Sequence, residues 1–398
     1  MNLPPPQPLD QAQQQLLDLV TPLDAERLAA DQSVGRHLAE AVLALRRQPA
    51  ADLSAMDGYA MRADDRAGPW QVVGESAAGH PFLGSLEAGQ AVRISTGALM
   101  PGNGGAVLLQ EEALRVGNML SLAQDGEVTP RHIRRAGFDF QPGMELLHAG
   151  QRIGPAQLAL ALSGGHSHLP VARLPRVAVL DSGDELSTDP ANCAPHQIPA
   201  SNGAMLAAMA APYASSIRRI GPIADDLAAL TAALEQAEGI DVLVTSGGAS
   251  VGDHDLIRPA LERWGADIAF WRVAMKPGKP LLVARRGQQF ILGLPGNPIS
   301  SYVTAFLFLL PLLRALGGSG QAAPRPVVLP LRGTLPAVGN RLEFVRARFE
   351  GNGVAPLTEQ DSSALAALAR ADVLIRREIG AEPARDGDSV SAYLLNAA

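Results

Sequence analysis

The spacing of hydrophobic positions changes along this 398-residue chain, and each change predicts a change of architecture. Over residues 10–45 apolar side chains recur at helical spacing. Thr21-Pro22-Leu23-Asp24 supplies an N-cap followed by Pro at the first helical position, so two helices are predicted. From residue 57 to about 143 the pattern shortens to apolar runs at 70–73, 91–95, 106–109, 119–122 and 128–133, separated by Gly, Asn and Pro. This reads as a small β-rich module. Gly154-Pro155 opens a further helix over 155–162 that ends at Gly164-Gly165. Beyond residue 175, apolar runs at 176–180, 217–220, 241–245, 269–273, 280–284 and 290–292 alternate with helical stretches at 201–214, 224–238, 255–264 and 298–316. That alternation predicts a doubly wound, mostly parallel α/β sheet, a fold that binds ligands at the C-terminal ends of its strands. After a Gly317-Gly318-Ser319-Gly320 linker, the tail reads as strands at 327–332, 341–349 and 389–395 with a short helix near 362–371.

Composition is globular, 47% hydrophobic and 18% charged, and the length fits two to four domains. A net charge of −7 argues against general nucleic-acid affinity, so any anion site must be local. The single cysteine, Cys193, rules out an internal disulfide and a cysteine-based zinc cluster, and suits a reducing cytoplasm. The most apolar run, 299–313, contains Pro311, is followed by Arg314 and is shorter than the about 20 residues of a membrane span, so it reads as a buried helix and no membrane association is expected. The first eight residues hold four prolines. They lack the basic and apolar regions of a secretory signal and are expected to form a loose arm.

Charge usage then singles out one turn. Among 33 basic residues besides His, only Lys276 and Lys279 are lysines, in Met275-Lys276-Pro277-Gly278-Lys279-Pro280. An ammonium is a compact three-donor point charge that enters a tight oxyanion pocket where a guanidinium does not. The stiff turn thus reads as a wall of an anion site, the plain alternative being two lysines left on an exposed turn. Three predicted strands run into small-residue loops: Asp181-Ser182-Gly183-Asp184-Glu185 after Leu180, Ser246-Gly247-Gly248 after Thr245, and Pro295-Gly296-Asn297-Pro298 after Leu294. Such loops let backbone amides and helix N-termini approach a phosphate, although any one alone is equally an ordinary turn, and none is a Walker or dinucleotide loop. Glu185, Asp225 and Asp255 sit among them, either as Mg²⁺ ligands or, for the two aspartates, as helix N-terminal charges. In the β-rich module, Asp57-Gly58 alone is a hairpin turn, while Thr96, Arg134 and Asp139 lie either in plain surface turns or at a site. The eight histidines show no metal-ligand spacing.

Five motifs, in order between residues 54 and 298, carry a resemblance: Ser54-Ala55-Met56-Asp57-Gly58-Tyr59-Ala60, Ser182-Gly183-Asp184-Glu185-Leu186, Ser246-Gly247-Gly248 with Ser250-Val251-Gly252, Lys276-Pro277-Gly278-Lys279-Pro280 and Leu294-Pro295-Gly296-Asn297-Pro298. The chain resembles the molybdopterin molybdenumtransferases, the bacterial MoeA proteins related to the E domain of gephyrin. Weaker similarity runs from Gln13 to the C-terminal end.

The resemblance implies a helical segment (1–47 with 144–174), an inserted β-rich domain (48–143), an α/β molybdopterin-binding domain (175–318) and a C-terminal β-barrel-like domain (325–398). It implies a cytoplasmic homodimer whose site combines the α/β domain of one subunit with the β-rich domain of the other. The implied activity is insertion of the substrate molybdate into adenylylated molybdopterin, with Mg²⁺-dependent release of AMP.

The family's site residues carry over onto Asp57, Thr96, Arg134, Asp139, Glu185, Asp225, Asp255, Lys276, Lys279, Pro295, Pro298, Arg346 and Ser362. Lys276 and Lys279 are expected to hold molybdate or the adenylate phosphates. Glu185 and Asp255 would hold Mg²⁺, with Asp225 nearby; Asp57 and Asp139 would position water or the dithiolene end of the pterin. Ser182, Gly183, Ser246, Gly247, Gly248, Arg272, Gly296 and Asn297 complete the expected substrate contacts. Expected partners are the adenylyltransferase and molybdoenzyme maturation proteins.

Four departures from the family pattern stand out: Ala200 for an acidic residue, Gly105 for Asp or Glu, Asp181-Ser182 for Ser-Thr or Pro-Thr, and Arg272 where a further lysine occurs. The competing readings are a molybdopterin adenylyltransferase, a non-enzymatic gephyrin-like scaffold and a tungsten-selective relative.

Overall fold

The computed structural model describes residues 6–247 and 256–395. The chain forms two compact units, Arg27–Pro170 and Met1–Glu26 with Val171–Ala398. Helix α1 (Leu9–Asp18) buries Leu9, Ala12 and Leu16 at helical spacing, as the pattern predicts. The second predicted helix does not form. Residues beyond Thr21-Pro22 run as short strands, Ala25–Ala29 and Val42–Leu43, and Gly35 between them sits at φ +87°, a left-handed conformation that no helix interior accepts. Gln7 is no loose arm either: its N–H donates to the Arg272 carbonyl at 3.0 Å and its carbonyl accepts from Ala274 at 2.7 Å.

The Arg27–Pro170 unit is built on a six-stranded sheet. Its strands are β1 (Gly58–Arg62), β2 (Trp70–Ser76), β3 (Gln90–Ile94), β4 (Gly104–Leu109), β5 (Ala113–Val116) and β6 (Met119–Leu122), ordered β4-β1-β3-β2-β6-β5. Period-2 alternation explains its two faces: Tyr59, Met61, Trp70 and Leu108 bury on one, and Ala60, Ile94 and Val107 on the other. The run at 128–133 is not a full strand. Pro130 lacks the N–H a ladder needs, and a Thr129-capped 3₁₀ turn (Pro130–His132) precedes a two-residue strand, Ile133–Arg134. Helix α2 (Pro155–Ser163) starts at the predicted Pro, with the Gly154 N–H donating to the Gln157 side chain at 3.1 Å.

In the second unit the predicted alternation is present. It runs β7 (Arg176–Ser182), α3 (Ser201–Ala210), β8 (Ser216–Ile223), α4 (Leu227–Glu235), β9 (Val242–Ser246), α5 (Ile257–Arg263), β10 (Asp267–Arg272), β11 (Met275–Lys276), β12 (Pro280–Arg286), β13 (Gln289–Leu294) and α6 (Pro298–Thr304). The sheet order is β8-β7-β9-β13-β12-β10. The first three pairings are parallel and the last two antiparallel, so the sheet is doubly wound with an antiparallel edge. Within β7, Val177 and Val179 join the core with α1, α3 and α6, while Ala178 and Leu180 join the core with α4 and α5. Successive side chains pack against opposite helical layers, which is why the strand is apolar throughout.

Helix α6 continues through a π turn (Ala305–Leu309) into α7 (Leu310–Leu316). Pro311 has no N–H to give an α-helix, and a π turn lets the helix pass it. Among the described residues, Pro298–Leu316 alone has the length and apolarity to cross a membrane, but its apolar window is 83% buried within the protein.

The C-terminal strands are β14 (Val327–Pro330), β15 (Leu342–Glu350), β16 (Gly353–Pro356), β17 (Val373–Arg377) and β18 (Ser389–Leu394), with a one-turn helix α8 (Leu365–Leu368). Their sheet is ordered β11-β15-β17-β18-β14, with β16 beside β15. Its first strand is β11, half of the lysine turn, which leaves the α/β region to pair with β15. The two regions also share one core, since Leu342, Phe344, Leu374 and Tyr393 cluster with α6 and α7 residues. The Tyr393 and Phe306 rings meet edge-on at 5.9 Å.

Candidate active site

The C-terminal ends of β7, β9 and β13 converge with the start of α3. Gly247 at the end of β9 sits at φ +95°, and a Cβ there would lie 2.4 Å from the Ser182 carbonyl, so only glycine lets β7 and β9 close at this point. Asn202, which the sequence did not single out, joins the pieces: its amide donates to Ser246 Oγ at 3.0 Å and to the Gly296 carbonyl at 2.7 Å. Asn297 caps α6 through the amides of Ile299 and Ser300, and its Nδ2 donates to Ser362 Oγ at 3.2 Å. Ser182, Ser246, Gly247, Gly296 and Pro298 therefore line one small polar cleft. Gly248 and Asp255 lie outside the described residues.

Around this cleft the carboxylates differ in kind. Asp184, Glu185 and Asp225 are exposed. Asp184 Oδ1 accepts the Asp225 N–H at 3.1 Å, while the capping role at α4 falls to Asp226, whose side chain accepts from Ala229. Asp225 is thereby left out of the cap. Glu185 folds back over Gly183, where a Cβ would lie 2.5 Å from its Oε2. Asp181 is buried at 3% exposure. Burial pushes its carboxyl up to about 6, against the pull of Arg219 at 3.7 Å and the Gly203 N–H.

The lysine turn stands between two sheets. Met275 and Lys276 pair in parallel with Leu342 and Glu343. Gly278 follows at φ +104°, where a Cβ would lie 2.6 Å from Thr304 Oγ1 and 2.7 Å from Met275 Cε, so the turn sits hard against α6. Lys276 Nζ lies 3.4 Å from Glu343 Oε1, and Lys279 is exposed with no ion pair among the described residues. Both lysines line a cavity of about 860 Å³, together with Ser300, Arg341, Glu343 and Ser362. Arg346 is not on its wall. The guanidinium is buried at 1% exposure and donates to the carbonyls of Glu359 and Asp361 at 3.1 and 3.0 Å, so it fixes the loop that carries Ser362. Arg272, at the end of β10, does not line the cavity.

In the other unit Asp57 precedes β1, and its Oδ1 accepts both the Thr96 N–H at 2.6 Å and the Thr96 hydroxyl at 2.9 Å. These bonds hold the exposed carboxyl below the ordinary aspartate range, the backbone N–H contributing most. Gly58 fits because a Cβ there would strike the Leu108 carbonyl at 2.0 Å. Arg135 is taken by Asp52 at 2.5 Å, which leaves its neighbour Arg134, exposed and without an ion pair among the described residues, as the available cation of that pair. Asp139 is exposed, and its backbone N–H donates to Gln48 at 2.9 Å.

A doubly wound sheet with small-residue loops at its strand ends, beside a lysine-lined cavity, has the form of sites that receive phosphorylated or oxyanionic small molecules. Comparison with known proteins narrows the class. Residues 7–165 match the MoeA N-terminal region (domain I and II), 178–315 the probable molybdopterin binding domain and 328–395 the MoeA C-terminal region (domain IV). The molybdopterin molybdenumtransferase of Haemophilus influenzae is 33% identical over 86% of this chain and 85% of its own length. That of Bacillus subtilis is 33% identical over 98% and 94%. A crystal structure of a molybdopterin biosynthesis MoeA protein from Pyrococcus horikoshii superposes with a TM-score of 0.81 at 30% identity, covering 98% of this chain and 99% of that one. The chain belongs to the molybdopterin molybdenumtransferase family, a family of transferases.

Proposed function

We propose that this protein inserts molybdate into adenylylated molybdopterin and releases AMP. The observation that carries the reading is the lysine-lined cavity, which sits beside strand-end loops of the kind that receive phosphates. Lys276 and Lys279 bind the oxyanions, and fixed positive charge there stabilises the negative charge that develops as the adenylate bond breaks. Ser182, Gly183, Ser246, Gly247 and the Pro295-to-Pro298 loop receive the phosphate and pterin portions, and Gly248 belongs to the same binding set, whereas Arg272 lines neither the cleft nor the cavity. Ser362, oriented by Asn297 and by the loop that Arg346 holds, contributes a hydroxyl to the oxyanion wall.

Mg²⁺ takes hard oxygen donors, and Glu185 and Asp225 offer only such donors at the strand ends, so the residues fit that ion. Glu185 and Asp255 would hold it, where it neutralises phosphate charge. Among the described residues no group of three or more His, Cys, Asp or Glu gathers to bind a metal without the substrate's oxygens.

Asp57, Thr96, Arg134 and Asp139 form the second half of the machinery, which we assign to a homodimer of cytoplasmic subunits with the four-part division 1–47 with 144–174, 48–143, 175–318 and 325–398. The adenylyltransferase that makes the substrate and the proteins that receive the finished cofactor are the partners this role needs. Incubation with adenylylated molybdopterin, Mg²⁺ and molybdate tests the reading against molybdopterin plus ATP. AMP release that depends on molybdate is the expected result, and adenylylation in the second arm would replace the proposal with an adenylyltransferase. Sedimentation at twice the 41.6 kDa chain mass is expected for the dimer.

A further inference from the structure

The two lysines of the cavity carry equal formal charge, but the fold treats them differently. Lys276 and Glu343 are register partners in the β11–β15 parallel pairing, and Nζ and Oε1 lie 3.4 Å apart. Register partners in a ladder project to the same face, so the backbone enforces this juxtaposition rather than a choice of rotamers. The neighbouring pair, Met275 with Leu342, is buried and clamps the ladder from the core side. Lys279 lies three residues on, past the sharp turn at Gly278, and has no counter-ion among the described residues.

The other carboxylates on this wall are engaged locally. Asp361 accepts the Ser363 N–H and hydroxyl at 2.8 and 2.5 Å, and Glu359 accepts the Asp361 N–H at 2.7 Å. Glu343 is the acid that faces a lysine. It is also the better shielded partner, its side chain 24% exposed against 58% for Lys276.

We propose that Glu343 is a positioning residue whose carboxylate is the standing counter-charge of Lys276 and competes with incoming oxyanions for that ammonium. The inference rests on the cavity's being the oxyanion site. Its consequence is that, of the two lysines, Lys279 presents a whole positive charge to the cavity and Lys276 a largely neutralised one. A tetrahedral dianion must draw Lys276 away from Glu343 to be gripped by both. Standing affinity for oxyanions is therefore held down and release is eased, while the lysine stays aimed along the wall by its attachment to the C-terminal sheet.

The test is calorimetric titration of the full-length protein with inorganic molybdate, and with sulfate as a second probe, alongside steady-state AMP release. Glu343→Gln keeps the side chain's shape and removes its charge. It is expected to tighten molybdate and sulfate binding roughly 2- to 5-fold, within the range for a partly exposed ion pair, and to lower the KM for molybdate without raising kcat. The gain should shrink at high salt because Lys276 is solvent-exposed. It should vanish when Lys276→Ala is already present, and Glu343→Asp should restore the weaker binding.

Unchanged or weaker molybdate binding by Glu343→Gln with an undisturbed melting curve would overturn the proposal. So would a gain that persists without Lys276. A wild-type protein that binds molybdate but releases no AMP would refute the proposed reaction while leaving the Glu343 effect readable. A wild-type protein that binds neither anion would refute both.

Discussion

The lysine cavity and the Asp57 turn are both charged sites framed by β-sheet, and they are built in opposite ways. Asp57 is fixed by close bonds within its own unit, from the N–H and hydroxyl of Thr96, and its charge is secured by a depressed pKa. Lys276 is fixed by a strand 67 residues away, in a sheet that most of the α/β region does not join. A loop can present an anion with its own amides. Lys276 is met instead by a carboxylate on β15, so a second sheet stands behind the lysine turn. The C-terminal region, whose composition shows strands and no chemistry of its own, acquires a role from this difference: it frames the wall that carries Lys276.

The largest effect is expected at Lys279, the lysine with no counter-charge among the described residues. Lys279→Ala should lower molybdate-dependent AMP release roughly 10²- to 10³-fold, the scale for loss of one fixed electrostatic group, whereas Lys276→Ala should cost roughly tenfold because Glu343 already offsets that charge. Equal losses in a steady-state assay would remove the asymmetry.

Asp57→Asn tests the other region. It should lower kcat by roughly 10- to 100-fold and leave the calorimetric affinity for inorganic molybdate unchanged, as expected if the carboxylate acts in chemistry and not in oxyanion binding. The depressed pKa keeps Asp57 ionised to low pH, so activity that depends on it falls only as pH drops through that low value. Thr96→Val removes the hydroxyl and spares the N–H. It should move the acid limb of the kcat/KM profile to higher pH by the smaller share of the shift.

How much of this could be read from the sequence follows from the range of the contacts involved. The α/β alternation was legible because β7 and its neighbours are apolar on both faces while the intervening helices keep their own period. The strand-end loops were legible for the same reason, since each follows a clear strand. Over residues 22–45 the apolar spacing mimics a helix, and one left-handed Gly35 overrides it. Glu343 was invisible as a site residue. It lies in an ordinary strand pattern, and only the β11–β15 pairing brings it to Lys276. Asp225 and Asp226 are indistinguishable in sequence, and the structure alone gives the cap to Asp226. Arg346 was legible as important, but its hydrogen bonds place it behind the wall.

Two smaller effects concern the frame itself. Gly278→Val forces a β-branched side chain into a left-handed φ and against Thr304 and Met275. It should cost about 2–3 kcal/mol in urea denaturation and should disturb the Lys276 side of the cavity.

Asp181 offers a pH signature. Its folded carboxyl is raised to about 6, above the unfolded value, so the native state holds the extra proton at intermediate pH. Its contribution to stability is full below the unfolded pKa and is lost as pH rises through about 6. Asp181→Asn should therefore remove about 2 kcal/mol of the difference between stabilities measured at pH 4.5 and pH 7. A pH dependence identical to wild type would show that burial does not strain this carboxylate.

The central claim is that an ammonium, and not simply a positive charge, is required on the oxyanion wall. Its most direct test is AMP release from adenylylated molybdopterin as a function of molybdate concentration, in Lys279→Arg and Lys276→Arg proteins whose melting curves match wild type. A loss of molybdate dependence, deeper for Lys279→Arg, is the predicted result. Full molybdate-dependent turnover by both arginine variants would contradict it.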